Sequence, residues 1–287
     1  MLPETMPVCP VRGSVIYPTM VMPIDAGRPI SIRAIDEALA RDRVLLIVSQ
    51  RDKEVETPRP SDLFEVGTAC NILKMRKNPD GSVQVLVQAF ARVRVREWLD
   101  LGDHLEARGE VLADEPGEPI LVKALVREVK DKFQALLKEG KYLAPEVAQF
   151  ILNLEDPSQL ADYVAFHMDF RLEDKQKVLE TANVAERLRA VLVLLEAELA
   201  LIETQRRIQQ QVKEEIDRNQ REYFLREQMK AIQRELHGEE GEQEVEEFRR
   251  KLEALDLPPV VRQEVERELN RFARMHRARN GESGRGA

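Results

Sequence analysis

The sequence predicts an α+β protein, with a β-rich first third and an all-helical remainder dominated by one very long helix. Three observations carry this. Residues 205–236, QRRIQQQVKEEIDRNQREYFLREQMKAIQREL, contain no Gly or Pro and are almost wholly good helix formers. A turn signal, Asn78-Pro79-Asp80-Gly81, separates an apolar run from the alternating Val83, Val85 and Val87, which predicts a β-hairpin. Beyond the Pro/Gly/acid-rich segment Ala113 to Pro119 nothing reads as a strand.

Taken in order, Val8–Val11, Val15–Tyr17 and Val21–Ile24 are short, Pro-punctuated extended pieces expected at sheet edges. Pro29 opens a helix to about Arg41 with Ile32, Ile35, Ala38 and Leu39 inward, and Val44–Val48 is a buried strand. RDKEVETPRP is a surface loop, Val66–Met75 and Ser82–Ala89 form the hairpin, and Val93–Val95 and Leu105–Val111 complete a small, mostly antiparallel, partly closed barrel. Pro119, Pro145 and Pro157 each start a helix (to Lys138, Leu152 and Met168), with Asp156 capping the third, and Leu172–Glu180 is a fourth. These helices make a bundle over 114–183.

Asn183 followed by Glu186 predicts the start of the long helix, and Gly238 its stop. Over 184–238, at about 1.5 Å per residue, it would span roughly 80 Å. Glu214/Arg218 and Glu222/Arg226 are spaced to support an exposed helix. Leu188, Leu192, Leu195, Leu199 and Ile202 step by 4, 3, 4 and 3 as in a coiled-coil seam. The seam then slips to Ile208, Val212 and Ile216 and to Tyr223, Phe224, Leu225, Met229 and Ile232. An acidic loop after Gly238, a helix over 245–255, a break at Leu257-Pro258-Pro259 and a helix over 260–275 predict a helical hairpin over 239–276. Residues 277–287 read as a disordered or appended tail.

The run QREYFLREQMKAIQREL with RRIQQQVKEEID upstream resembles the helical segment of the Lon proteases, ATP-dependent AAA+ serine proteases of the bacterial LonA type. PVCPVRGSVIYPTMVMPIDAGRPISIRAIDEAL resembles the opening block of that family, and LFEVGTACNILKMRKNPDGSVQVLVQAFARVRV its hairpin block. The blocks lie in the family order over about residues 6–275. The resemblance implies that residues 1–113 form a PUA-like domain and that the helical hairpin leads toward an ATPase module. It also implies a parent protein that is an ATP-dependent serine endopeptidase using ATP and Mg2+ and assembling as a hexamer. The final tail departs from the family pattern.

Catalysis is not expected of this chain. A phosphate loop needs GxxxxGK[ST], and the Gly140-Lys141 step is followed by Tyr142 with no earlier Gly in register. The family's Ser-Lys chemistry maps beyond every block matched, and Ser14, Ser31, Ser49, Ser61, Ser82 and Ser158 have no Lys at that spacing. Cys9 and Cys70 read as small apolar strand residues, and His104, His167, His237 and His276 lack metal-ligand spacing. No cofactor or metal is expected in this chain.

Binding is what remains. The net charge of −8, from 52 acidic and 44 basic residues, disfavours a dedicated nucleic-acid binder. Of the two basic clusters, Lys74/Arg76/Lys77 and Arg92/Arg94/Arg96, the second reads as the outward face of a strand. MLPETMPVCP has neither a basic start nor an apolar core, and no apolar run approaches the length of a membrane span, so a cytoplasmic protein without a membrane partner is expected. Unfolded or damaged proteins are the expected substrates, and two apolar patches are candidate contacts. One is Tyr17, Pro18, Met20 and Met22 in VIYPTMVMP; the other is Tyr223, Phe224, Leu225 and Met229. Leu188, Leu192, Leu195, Leu199, Ile202 and Ile216 are candidates for self-association. The function expected is the non-catalytic amino-terminal region of such a protease, recognising unfolded substrates, gating their entry and helping hexamer assembly. The alternatives are a coiled-coil scaffold with no substrate role and a PUA-like RNA-binding module.

Overall fold

A computed structural model describes residues 2–139, 143–254 and 261–271. Gly140 to Tyr142, the Leu257-Pro258-Pro259 break, Phe272 and the 277–287 tail lie outside the described residues. The chain divides into two units, Met1–Thr204 and Gln205–Ala287, each taken here by itself.

The first unit opens with β1 (Met6–Val11), β2 (Val21–Ala26), α1 (Pro29–Ala40), β3 (Val44–Ser49), β4 (Val66–Lys77), β5 (Val83–Asp100) and β6 (Leu105–Val111). Val15–Tyr17, expected to be extended, lies outside the strands. The sheet order is β2-β5-β4-β3-β1-β6, and β5 pairs with β6 as well, so the sheet closes into a barrel. Closure depends on the length of β5, which the hairpin pattern splits in two. Its first part pairs with β2 and β4, and its second part continues to β6. Register shifts at Ala69/Cys70, Ile72/Lys74 and Val95/Glu97 bend the ribbon through this turn. The parallel pair β1–β3 is bridged by α1, whose Ala34, Ile35 and Ala38 pack on Cys9, Ile47, Cys70 and Val85. Both cysteines are buried and free, as small apolar residues would be. Gly67 is needed for close approach, since a Cβ there would sit 2.5 Å from the Ile47 carbonyl oxygen.

After β6 come α2 (Pro119–Lys138), α3 (Pro145–Asn153), α4 (Pro157–His167), α5 (Leu172–Glu180) and α6 (Val184–Glu253). The three helix-opening prolines stand at the first turns of α2, α3 and α4, where the missing N–H has no helical partner to lose. Asp156 caps α4 by accepting from the Gln159 N–H at 3.0 Å, and Asn183 caps α6 by accepting from the Glu186 N–H at 3.1 Å. Phe133, Ile151, Val164, Val178, Leu188 and Leu195 fill the core of this bundle.

In the second unit α6 runs on to Glu253, so Gly238 does not stop it and the segment expected as an acidic loop is helical. Gly238 and Gly241 both lie inside the helix and cost about 1 kcal/mol each, which the long run of helix formers around them offsets. A further helical stretch covers 261–271, and Arg249 Nη2 donates to Asn270 Oδ1 at 3.3 Å, as the expected hairpin requires.

Candidate functional site

The structure separates the two predicted apolar patches. Tyr17, Pro18 and Met20 are not surface residues. Tyr17 is fully buried and Met20 nearly so, and with Val15 and Val66 they form the barrel's contribution to the core it shares with the helical bundle. The Tyr17 hydroxyl donates to the Lys175 carbonyl oxygen at 2.8 Å, and burial pushes the phenol well above its usual range. The physical reason for the correction is that the outer barrel wall here is covered by α4 and α5 instead of water. Met22 alone of this patch is partly open, lining a cleft of about 300 Å³ between β1, β2 and the start of α1. Pro10 and Pro23 lie on the facing strands of that cleft and each lacks an N–H, which guards both edges against a further strand.

The same covering accounts for Arg92. Its side chain does leave the barrel interior, as the strand period requires, but it enters a buried ion network where solvent was expected. Arg92 Nη2 donates to both oxygens of Asp162 on α4, at 2.5 and 2.7 Å, and Nε donates to the Leu179 carbonyl oxygen at 3.1 Å. Arg187, on the first turn of α6, is fully buried and donates to Asp114 Oδ1 at 2.7 Å, to Ser158 Oγ at 2.7 Å and to the Thr181 carbonyl oxygen. Ser158 donates in turn to Asp114. Burial pushes the Asp162 carboxyl up to about 6, against the pull of Arg92 and then Arg187. Burial also acts upward on Asp114, but Arg187 and Ser158 outweigh it and hold that carboxyl below the ordinary range. Sequence reasoning missed this network because Arg92 and Asp162 lie 70 residues apart and no local pattern links them.

The predicted self-association seam is largely used within the first unit. Leu188 and Leu195 are wholly buried, and Leu192, Leu199 and Ile202 pack partly buried against the same core. Ile216, in the second unit, is half exposed.

In the second unit the other patch is open. Tyr223, Phe224, Leu225 and Met229 are 68, 62, 56 and 61% exposed. Ile208, Val212 and Ile232 on the same helix are also exposed. At about 100° per residue, Leu225, Met229 and Ile232 share one side of α6, whereas Ile208, Val212, Ile216 and Tyr223 share another. Charged residues are interspersed with them, Arg218 being paired to Glu222 at 3.8 Å and Lys230 to Glu227 at 3.2 Å. No group of three or more His, Cys, Asp or Glu that could hold a metal occurs among the described residues. No helix among them is long and apolar enough to cross a membrane.

A closed small barrel joined through a buried ion network to a helical bundle defines the class of domain. Residues 5–197 match the family described as the ATP-dependent protease La (LON) substrate-binding domain, and the chain belongs to that family. The chain is 38% identical over 271 residues to Lon protease of Brevibacillus choshinensis, covering 94% of this chain and 35% of the relative. It is 42% identical over 274 residues to Lon protease 1 of Thermus thermophilus, covering 94% and 34%. The chain thus spans about a third of the length of these curated relatives. Among solved structures it resembles the N terminal domain of Mycobacterium avium complex Lon protease, with TM-score 0.56 and 27% identity, over 67% of this chain and 98% of that one.

Proposed function

We propose that the chain recognises exposed apolar segments of unfolded or damaged proteins, as the non-catalytic amino-terminal region of a cytoplasmic ATP-dependent protease. The observation that carries the reading is the run of large apolar side chains exposed on α6, Tyr223 to Ile232, in a chain whose residues 5–197 belong to a substrate-binding family. Large apolar side chains gain most by burial, at about 25 cal/mol per Å², and adaptable Met229 suits many different segments. In the whole protein this region would gate entry of the client and help a hexamer to assemble, while ATP and Mg2+ would act in other parts of that protein.

Self-association is the second reading, favoured by the 4, 3 stepping of Leu225, Met229 and Ile232. An RNA-binding role is disfavoured, because Arg92 is consumed by the ion network and the chain carries net charge −8. The double substitution Phe224→Ala with Leu225→Ala separates the first two readings. Client recognition predicts weaker binding of an unfolded protein with the oligomer mass of the chain unchanged. Loss of mass with client affinity retained would assign the patch to assembly. Binding that falls steeply with added salt would point to nucleic acid.

A further inference from the structure

We infer that the junction between the barrel and the helical bundle is a built-in opening point, which parts as a unit while both cores stay folded, with the Arg92–Asp162–Arg187–Asp114 network as its clasp. The inference goes beyond client recognition and can fail while that reading stands.

Little buried apolar surface joins the two parts. The barrel has its own cores, one around Ile35, Ile47 and Val85 and another around Met6, Leu46 and Val93. To the bundle's core it contributes only Val15, Tyr17, Met20 and Val66 as buried apolar residues. Leu172 of α5 adds a partly buried apolar contact to the barrel core, and the hydrogen-bonded links across the junction are Arg92 to Asp162, Arg92 to the Leu179 carbonyl oxygen, Tyr17 to the Lys175 carbonyl oxygen, and Gln176 Nε2 to the Val66 carbonyl oxygen at 2.8 Å.

Such a contact differs from a core in two ways. A buried ion network is weak glue, because the cost of desolvating its charges nearly cancels their attraction, while water restores both partners when they separate. Gln176 Oε1 is buried with no hydrogen-bond partner, a desolvation cost carried while the junction is closed and relieved when it opens. Packing is also incomplete on both sides. One cleft of about 400 Å³ enters between Phe64 and Arg94 of the barrel and Glu173 and Lys177 of α5. A second, of about 290 Å³, enters between Phe90 and Val111 of the barrel and Ser158 and Gln159 of α4. Thr19, at the lip of the second cleft, is held at φ +68°, a left-handed conformation that a β-branched residue adopts only under constraint. A narrow, polar, flanked contact between two separately cored parts opens before either core does.

Native methionines test this without substitution. Met20 lies in the junction and Met6 in the barrel core, and both are buried, at 4% and 0% exposure. Dilute hydrogen peroxide converts each thioether to the sulfoxide only when it is uncovered, and mass spectrometry of the separate peptides reads the two rates. The expected result is Met20 oxidised at least about tenfold faster than Met6 in the native chain. Asp162→Ala should speed Met20 about a hundredfold, because the loss falls on the closed junction and not on the opened form, and should speed Met6 by no more than that. A common rate for Met20 and Met6 in the unsubstituted chain would overturn the inference, because uncovering would then need global unfolding. A Met20 rate left unchanged by Asp162→Ala would overturn the role given to the network.

Discussion

Asp162→Ala is the substitution on which the fold of the first unit depends most sharply. The carboxylate is 2% exposed and accepts two bonds from Arg92, with Arg187 Nη1 3.9 Å away. Removing one partner of a buried pair costs roughly 3–5 kcal/mol, because the other charge stays desolvated. Here Asp114 remains 3.3 Å from Arg92 and 2.7 Å from Arg187 and answers part of that charge, so the low end applies, about 3 kcal/mol. For a unit of this size that is a fall in Tm of roughly 6–12 °C. Urea and thermal unfolding followed by circular dichroism measure it. The triple replacement Arg92→Met, Asp162→Leu and Arg187→Met removes all three charges together and should recover most of the loss, to within about 1 kcal/mol of the original. A loss below about 0.5 kcal/mol for Asp162→Ala, the size of a surface pair, would refute the reasoning. So would a triple variant weaker than the single one.

Further outcomes follow from the same geometry. Asp114 has its folded pKa held below the unfolded value, so its contribution is complete above about pH 4 and is lost as the pH falls through the lowered folded value. Asp114→Asn should therefore flatten the acid side of a stability–pH curve, and an unchanged slope would remove that role. Gly67→Ala places a Cβ 2.5 Å from the Ile47 carbonyl oxygen and 2.7 Å from Val48 Cγ2, and should cost about 2 kcal/mol in urea unfolding. Phe224→Ala with Leu225→Ala should weaken unfolded-protein binding about tenfold with helicity unchanged, as seen by titration and far-ultraviolet circular dichroism.

Local chemistry was legible where neighbours in sequence decide the outcome. The Asn78–Gly81 turn, the prolines opening α2, α3 and α4, the Asp156 and Asn183 caps and the exposed Tyr223 to Ile232 run all depend on residues within a few positions. What stayed hidden depends on distant partners. Tyr17 and Met20 have the composition of an adaptable surface, and only the docking of α4 and α5 turns them into core. Arg92 obeys the strand period in leaving the barrel, yet the period cannot say that a helix covers that face. Leu188 and Leu195 have coiled-coil spacing, which a bundle core satisfies equally well. Gly238 is a fair helix stop in isolation, but even with Gly241 it does not outweigh a long run of helix formers. Closure of the barrel needs β5 to continue past Phe90, and the bulges that allow it have no signature in the apolar alternation.

The most direct measurement is a titration of this chain with one model protein, thermally unfolded and native, by a method that also reports mass. The account predicts binding of the unfolded form alone, at a defined stoichiometry. Self-association without any client binding, or equal binding of the native form, would contradict it.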